Sequence, residues 1–418
     1  MHRSFTGLLS VCLIASVASA CGSKMSEEEI VARATEIHGQ LITMDTHVDI
    51  SSNFATPEDD PGIRGERKVD LPKMREGGMD AVFFAVYVGQ TERTPENYEQ
   101  VKADAMVKFD AIHRMAEQMY PDQIEIPYTA DDVVGIHEAG KLAACIGIEN
   151  GYAIGQDISL LEKYHGLGAR YMTLTHNGHN DIADSCNPRE ELGDAEEEYG
   201  GLSDFGREVI GEMNRLGIIV DVSHASKQTM MQAAELSRAP IIASHSGARA
   251  LADVSRNLDD EQLLALKENG GVIHVVALAS FLKEDPPEKT AALEALAQEM
   301  GFTSREARRT MTEEQRQEYM RRRAELDERW PQANLQTWAD HVDYIVNLIG
   351  IDHVGVGTDF DGGGGIAGFN DASEALNVTI ELVRRGYSEA DIKKIWGENT
   401  LRVWREAERV AAELQTTD

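Results

Sequence analysis

The sequence is poor in positive charge. Its 418 residues include 40 lysines and arginines against 72 aspartates and glutamates, for a formal net charge of −32. So acidic a chain repels phosphate backbones and anionic headgroups, which argues against nucleic acid or an anionic membrane surface as a partner. Aromatic residues are also few, at 6%, but 42% of residues are hydrophobic, enough for a large core. The length permits two ordinary domains or one domain of the barrel type.

Cysteine is scarce as well, and two of the four cysteines lie near the N-terminus, in a segment typical of an export signal. After a basic start, the apolar run Leu8–Val17 is too short to span a bilayer. It ends in Ala18–Cys21, so we expect residues 1–20 to be a signal peptide. A cysteine at this point resembles a bacterial lipobox, which would make Cys21 a lipid anchor to the membrane; simple cleavage and secretion is the alternative. The sequence thus predicts an exported protein of the bacterial cell envelope, facing the periplasm or on the surface.

The two other cysteines are Cys145 and Cys186. An oxidising compartment would allow them to pair. Cys145 lies in an apolar, strand-like run, however, and buried free cysteines are common, so two free thiols are favoured.

Short apolar runs recur along the chain, each followed by an amphipathic or charged stretch. Runs of this kind, rich in valine and isoleucine, are typical of buried parallel strands. They are Leu41–Asp45, Ala81–Val88, Leu142–Ile148, Tyr171–Thr175, Ile218–Val222, Pro240–Ser244, Gly271–Ala277 and His353–Thr358. Helix signals with serine or aspartate caps lie between them, as at Ser203–Leu216, Ser226–Ser237 and Asp259–Asn269. Eight such units predict an α/β fold of the (β/α)8 TIM-barrel type, although a doubly wound sheet would also alternate.

One charged segment, residues 284–338, interrupts this alternation. We expect it to be a helical insertion between strands 7 and 8 of a single domain that covers residues 21–418. A solvated hairpin on the barrel rim is the favoured interpretation, because charge runs are usually solvated faces. A lid or a dimer contact is the alternative, and we expect the molecule to be a homodimer.

Six of the predicted strands end in histidine or carboxylate side chains. These residues are His47 and Asp49 on the first strand, Glu149 on the third, His176 on the fourth, His224 on the fifth, His245 on the sixth and Asp359 on the eighth. A barrel gathers its strand ends on one face, where the active sites of this fold lie. Independent structural roles would not cluster in this way, so the pattern predicts a site.

The residue types indicate a metal centre. Imidazole and carboxylate ligands without thiolate suit zinc, with manganese, iron or cobalt as alternatives. The five candidates, which are too many for one catalytic zinc, are His47, Asp49, Glu149, His224 and His245. They suffice for two zinc ions if Glu149, which lies between the two pairs in chain order, bridges them. Two cations about 3.5–4 Å apart can share a hydroxide and make it a nucleophile at neutral pH.

In their order along the chain, these motifs resemble those of the renal (membrane) dipeptidase family. The resemblance covers residues 30 to 405 and includes His47-x-Asp49, Glu149, Leu174-Thr175-His176, Asp221-Val222-Ser223-His224, Ser244-His245-Ser246, Ser255-Arg256-Asn257 and Gly357-Thr358-Asp359-Phe360-Asp361-Gly362. It implies a TIM barrel with two zinc ions per subunit. One would be held by His47, Asp49 and Glu149, and the other by Glu149, His224 and His245.

The resemblance also implies roles around the metals in the hydrolysis of dipeptides, including those with a C-terminal D-residue. His176 would stabilise the oxyanion, Arg256 would bind the substrate carboxylate, and Asp359 would orient the bridging water and pass its proton to the leaving amine. Many family members carry Asn-Phe-Tyr where this chain has Val275–Leu278, so the preferred side chain stays open.

Two other functions compete with dipeptide hydrolysis. The same metal pair could act on another amide, such as an N-acyl amino acid or a β-lactam. The protein could instead be a surface lipoprotein that only binds metal or peptide. The presence of all five ligands and of Asp359 argues against this second alternative.

Overall fold

The computed structural model describes residues 25–303, 307 and 310–416. The predicted signal peptide and Cys21 lie outside the described residues. Within the described part, no helix combines the length and the apolar character needed to cross a bilayer.

The described strands form a parallel sheet that curls into a barrel. They are β1 Met44–Asp49, β2 Ala81–Tyr87, β3 Ile124–Glu125, β4 Leu142–Glu149, β5 Ala169–Thr173, β6 Ile219–Asp221, β7 Ile242–Ser246, β8 Val272–Val275 and β9 Val354–Val356. They pair in the order β1-β2-β4-β5-β6-β7-β8-β9, with the short β3 beside β4. The chain after β9 closes the ring, because the Asp49 N–H donates to the Phe360 carbonyl at 2.8 Å and the Asp359 N–H donates to the His47 carbonyl at 3.0 Å. The predicted TIM barrel is confirmed.

Helices surround the barrel and cover the outer face of its strands. They are α1 Glu27–His38, α2 Leu71–Gly77, α3 Pro95–His113, α4 Ala130–Glu138, α5 Leu160–Gly166, α6 Asp204–Leu216, α7 Lys227–Leu236, α8 Asp260–Asn269, α9 Ala279–Leu282, α10 Pro287–Glu299, α11 Glu313–Arg329, α12 Leu335–Ile349, α13 Ala375–Arg384, α14 Glu389–Lys393 and α15 Asn399–Gln415. Ser203, Ser226 and Asp259 cap α6, α7 and α8 by accepting a backbone N–H from the first turn.

The first strand begins later than its apolar pattern predicts. Instead of Leu41–Asp45, it covers Met44–Asp49. Just before the strand, the Thr43 N–H donates to the Asp80 carboxylate at 3.0 Å, so this N–H is held by a side chain, while the Thr43 carbonyl accepts from the Ala81 N–H at the start of β2. His47 therefore lies inside β1 and Asp49 is its last residue.

The charged insertion lies between β8 and β9, as predicted for the seventh and eighth barrel strands, and contains α10 and α11. None of the side chains of α11 is buried. At its base, the buried Lys289 ammonium pairs with Asp285 at 2.8 Å and with Asp327 at 2.9 Å. The segment ends within α12, where Trp338 is buried and its indole N–H donates to the Val275 carbonyl at 3.0 Å.

Both described cysteines are free. Cys145 is buried in β4, while Cys186 is half-buried in the loop after β5.

Candidate metal centre and active site

The five predicted ligands meet at the carboxyl ends of the barrel strands, around the carboxylate of Glu149. The Nε2 atoms of His47 and His224 lie 3.3 Å from its two oxygens, one on each. The Nε2 atom of His245 lies 3.7 Å from Oε1 and only 3.1 Å from Nε2 of His224. Two ring nitrogens so close, aimed at one carboxylate, have the arrangement of ligands that share a cation.

Three sets of side chains place their ligand atoms within 4.8 Å of one another. They are His47 with Glu149 and His245, Glu149 with His176 and His224, and His47 with Asp49 and Asp359. Glu149 belongs to two of the sets, as a bridge requires. The prediction placed His224 and His245 on the same metal, whereas these sets place His245 with His47 and His176 with His224. The reason is that the ring of His245 stacks on His47 and that of His176 packs on His224.

Polar groups behind the histidines fix which nitrogen faces the site. The Tyr171 hydroxyl donates to the Thr46 carbonyl at 3.0 Å and lies 2.9 Å from Nδ1 of His47. Nδ1 of His47 must then be the donor, so Nε2 is the nitrogen that faces Glu149. The Ser244 hydroxyl lies 2.9 Å from Nδ1 of His245 and donates to the buried Asp221 at 2.6 Å.

The charges around the cluster suit a cation. Burial lowers the pKa of His224 and His245 well below the usual range, which keeps both in the neutral form that ligates metals. Burial also opposes charge on His47, but Glu149 and Asp49 prevail and raise its pKa to about 10. Nε2 of His47 is nevertheless buried without a hydrogen-bond partner. Its donor atom and the carboxylates beside it fit a bound divalent metal.

Asp359 lies on the same rim, in the loop after β9. Burial, together with the nearby carboxylates of Asp49 and Glu149, raises its pKa well above the usual range. A Cβ on Gly362 would lie 2.0 Å from Asp49 Oδ2 and 2.3 Å from Asp359 Oδ1, so only glycine fits against these two carboxylates.

The backbone is strained at several positions of the site. Asn150, His224 and Asp359 have φ values of 81°, 64° and 60°, in the region that favours glycine. The first two follow β4 and β6, and the third follows β9. Backbone strain of this kind persists where a function holds the side chain in place.

Arg256 reaches the cluster from the loop after β7. Its guanidinium donates to the His245 carbonyl at 3.0 Å and packs over the Phe281 ring at 5.2 Å. The residue is only 4% exposed, yet it makes no ion pair with any described residue. It borders a cavity of about 550 Å³ that also contains the predicted ligands Asp49, Glu149, His224 and His245.

His176 lies between the metal cluster and the cavity wall. Its Nε2 is 3.6 Å from Glu149 Oε1, and its ring centroid is 4.8 Å from that of Tyr87. Burial lowers its pKa. By distance alone His176 could ligate a metal as well as contact substrate.

Comparison with known proteins identifies the family. The family model "Membrane dipeptidase (Peptidase family M19)" matches residues 31–418. The chain belongs to this family. A dipeptidase of Aspergillus oryzae is 36% identical over 84% of the chain and 72% of its own length, and one of Claviceps purpurea is 34% identical over 82% and 70%. The solved structure of the probable dipeptidase PvdM from Pseudomonas aeruginosa is 33% identical, with a TM-score of 0.82 over 92% of this chain and 100% of that one.

The expected enzyme class is thereby confirmed. This member of the membrane dipeptidase family is a metal-dependent dipeptidase on a TIM barrel, with clustered residues able to bind metal.

Several residues of the dipeptidase cavity were not predicted from the sequence, and four of them have large side chains. They are Arg67, Tyr87, Lys108 and Phe281. Of these four, only Lys108 could have been singled out from the sequence. It lies on the apolar face of α3 with Val101, Ala105, Phe109 and Ile112. A lysine on such a face either forms an ion pair or lies in a functional site.

Proposed function

We propose that this protein is a binuclear zinc dipeptidase that recognises the free carboxylate of its substrate through Arg256. The observation that carries the proposal is a buried guanidinium with no acidic partner among the described residues, on the same cavity as the candidate ligands. A buried charge is stable only when it is paired, so a ligand anion is the natural partner.

The proposed ligand sets are His47, Asp49 and Glu149 for one zinc, and Glu149, His224 and His245 for the other. The nitrogen and oxygen donors, the buried Nε2 of His47 and the shared carboxylate support this assignment. When bound, the two zinc ions would polarise the scissile carbonyl and supply an activated water.

The other side chains would orient the substrate and move its proton. Arg256 would bind the C-terminal carboxylate in a bidentate pair. His176, neutral and next to Glu149, would donate a hydrogen bond to the oxygen that becomes negative in the transition state. Asp359 has the raised pKa of a group that can hold a proton and deliver it to the leaving amine.

The test is a matched substrate series on the zinc-loaded enzyme. Arg256 would hold the substrate carboxylate at a fixed distance from the reacting carbonyl, which leaves room for one residue beyond the scissile bond. Dipeptides should therefore be cleaved, while their amides and C-terminally extended tripeptides should not. Arg256→Ala should lower kcat/KM by roughly ten- to hundredfold, the loss expected for a charged hydrogen-bonded pair. Equal turnover of a dipeptide and its amide would contradict the role of Arg256 and favour hydrolysis of another amide.

The same series tests stereochemistry. Arg256 would fix the substrate carboxylate and leave the C-terminal side chain with few contacts. We therefore propose that L,D dipeptides are hydrolysed along with L,L dipeptides. Turnover of the L,L forms alone would restrict the proposal to them.

We also propose export and membrane anchoring through Cys21, which the lipobox-like Ala18–Cys21 supports. Mass spectrometry of the membrane fraction should find an acylated Cys21 as the first residue, and Cys21→Ser should release the protein. An unmodified chain beginning at Cys21 would instead indicate simple secretion.

A further inference from the structure

The cavity contains a second cation for which the described residues provide no anionic partner. Lys108 lies on α3, is 9% exposed and borders the cavity. Its ammonium lies 5.1 Å from the centroid of the Tyr87 ring and makes no hydrogen bond or ion pair with any described residue. Arg67, also on the cavity wall, differs in being paired with Asp59 at 3.0 Å and with Asp361 at 3.4 Å.

An unpaired buried ammonium is unfavourable. Burial lowers the pKa of Lys108, while the carboxylates of Asp49 and Glu149 act in the opposite direction without contacting it. A methionine or leucine would fill this place in the apolar face of α3 without the desolvation penalty. The cavity-facing ammonium is therefore placed to bind an anion that arrives with a ligand.

The barrel order places this cation opposite Arg256. Lys108 is on the helix that follows β2, and Arg256 is in the loop that follows β7. These strands occupy the second and sixth places in the described order β1-β2-β4-β5-β6-β7-β8-β9, which are opposite positions in a closed ring of eight. Glu149, at the end of β4, lines the same cavity as the two cations.

A dipeptide bound across this cavity has a defined direction. With its carboxylate on Arg256 and its scissile carbonyl near Glu149 and His176, the amino-terminal residue extends toward Tyr87 and Lys108. We infer that Lys108 is a specificity-determining residue that binds the side-chain carboxylate of an acidic residue, glutamate or aspartate, on the amino side of the scissile bond. This inference rests on the proposed function.

The experiment uses pairs of substrates that differ in one charge. The zinc-loaded enzyme is assayed on Glu-Ala against Gln-Ala and on Asp-Ala against Asn-Ala. The wild type should prefer the acidic member of at least one pair by roughly ten- to hundredfold in kcat/KM, chiefly through KM, the range for a charge-assisted hydrogen bond. Lys108→Met should lose this preference and keep the turnover of Gln-Ala. Lys102→Met is the matched control, because Lys102 is on the same helix and pairs with Glu99 outside the cavity.

Other outcomes separate the two proposals. If the wild type cleaves no dipeptide, the proposed function fails. If it cleaves Gln-Ala as fast as Glu-Ala and Asn-Ala as fast as Asp-Ala, only the role of Lys108 is overturned. The role is also overturned if Lys108→Met lowers kcat/KM equally for both members of a pair or reduces the zinc content, because Lys108 would then act on Asp49 and Glu149 rather than on substrate.

Discussion

At the scale of single residues, Glu149 has the largest predicted effect on metal binding. Its two oxygens face different histidines, His47 and His224, each at 3.3 Å. If it bridges two ions, Glu149→Ala should lose both of them, whereas the wild type should carry close to two per chain, as measured by elemental analysis. Glu138→Ala, on the exposed end of α4, is the control. A fully active wild type with a single ion would contradict the binuclear site.

Asp359 allows the proton-transfer step to be separated from metal binding. Asparagine keeps the size of the side chain and tolerates the left-handed backbone with φ 60° at this position, so Asp359→Asn should fold and bind both ions. Its kcat should fall by roughly 10²–10⁴, the usual contribution of a positioned acid–base group. Normal turnover would mean that another residue carries the proton, and His176 would be the first candidate.

At the scale of elements, the strands and the capped helices followed from local patterns. The helices α6, α7 and α8 begin after the predicted caps because a serine or aspartate oxygen there accepts a free N–H of the first turn. The start of β1 could not be predicted in this way, since the Thr43 N–H just before it bonds to the distant Asp80.

The site was predictable only in part for the same reason. Strand ends identified the ligands because every parallel strand of a barrel points to the same rim. The short contact between His224 and His245, and the position of Lys108 opposite Arg256, depend on how the ring closes. No local pattern contains that information.

The hairpin of α10 and α11 should be the first part of the fold to open. No side chain of α11 is buried, so few apolar contacts oppose its local unfolding. Trypsin should cut first at Arg321, Arg322 or Arg323, and the nicked enzyme should keep its activity, because the cavity is lined instead by Phe281 of α9. Mass mapping of early fragments and an assay of the nicked protein check this. Loss of activity on nicking would favour a lid.

At the scale of the whole molecule, a buried histidine makes the fold sensitive to acid. Burial lowers the pKa of His274 from 6.5 to about 3, while its Nε2 lies 2.9 Å from the Thr400 hydroxyl. Below pH 6.5 the unfolded chain binds a proton that the folded chain excludes, so stability falls with pH and the loss is complete only near the folded pKa.

The size of this effect can be measured by substitution. Between pH 7 and pH 5 this one group should reduce the free energy of unfolding by about 2 kcal/mol. Urea denaturation at both pH values should give a smaller difference for His274→Gln than for the wild type at the same zinc loading. An unchanged difference would assign the acid sensitivity to other groups.

The seam that closes the barrel is built from the backbone of the site itself. The Asp49 N–H bonds to Phe360 and the Asp359 N–H bonds to His47, so the first and last strands are joined where the carboxylates converge. A cation bound by His47 and Asp49 would also protect these two amides against exchange with solvent deuterium. Residues more than three hundred positions apart would then open and close as one unit. Metal binding at the site would therefore stabilise the closure of the whole barrel.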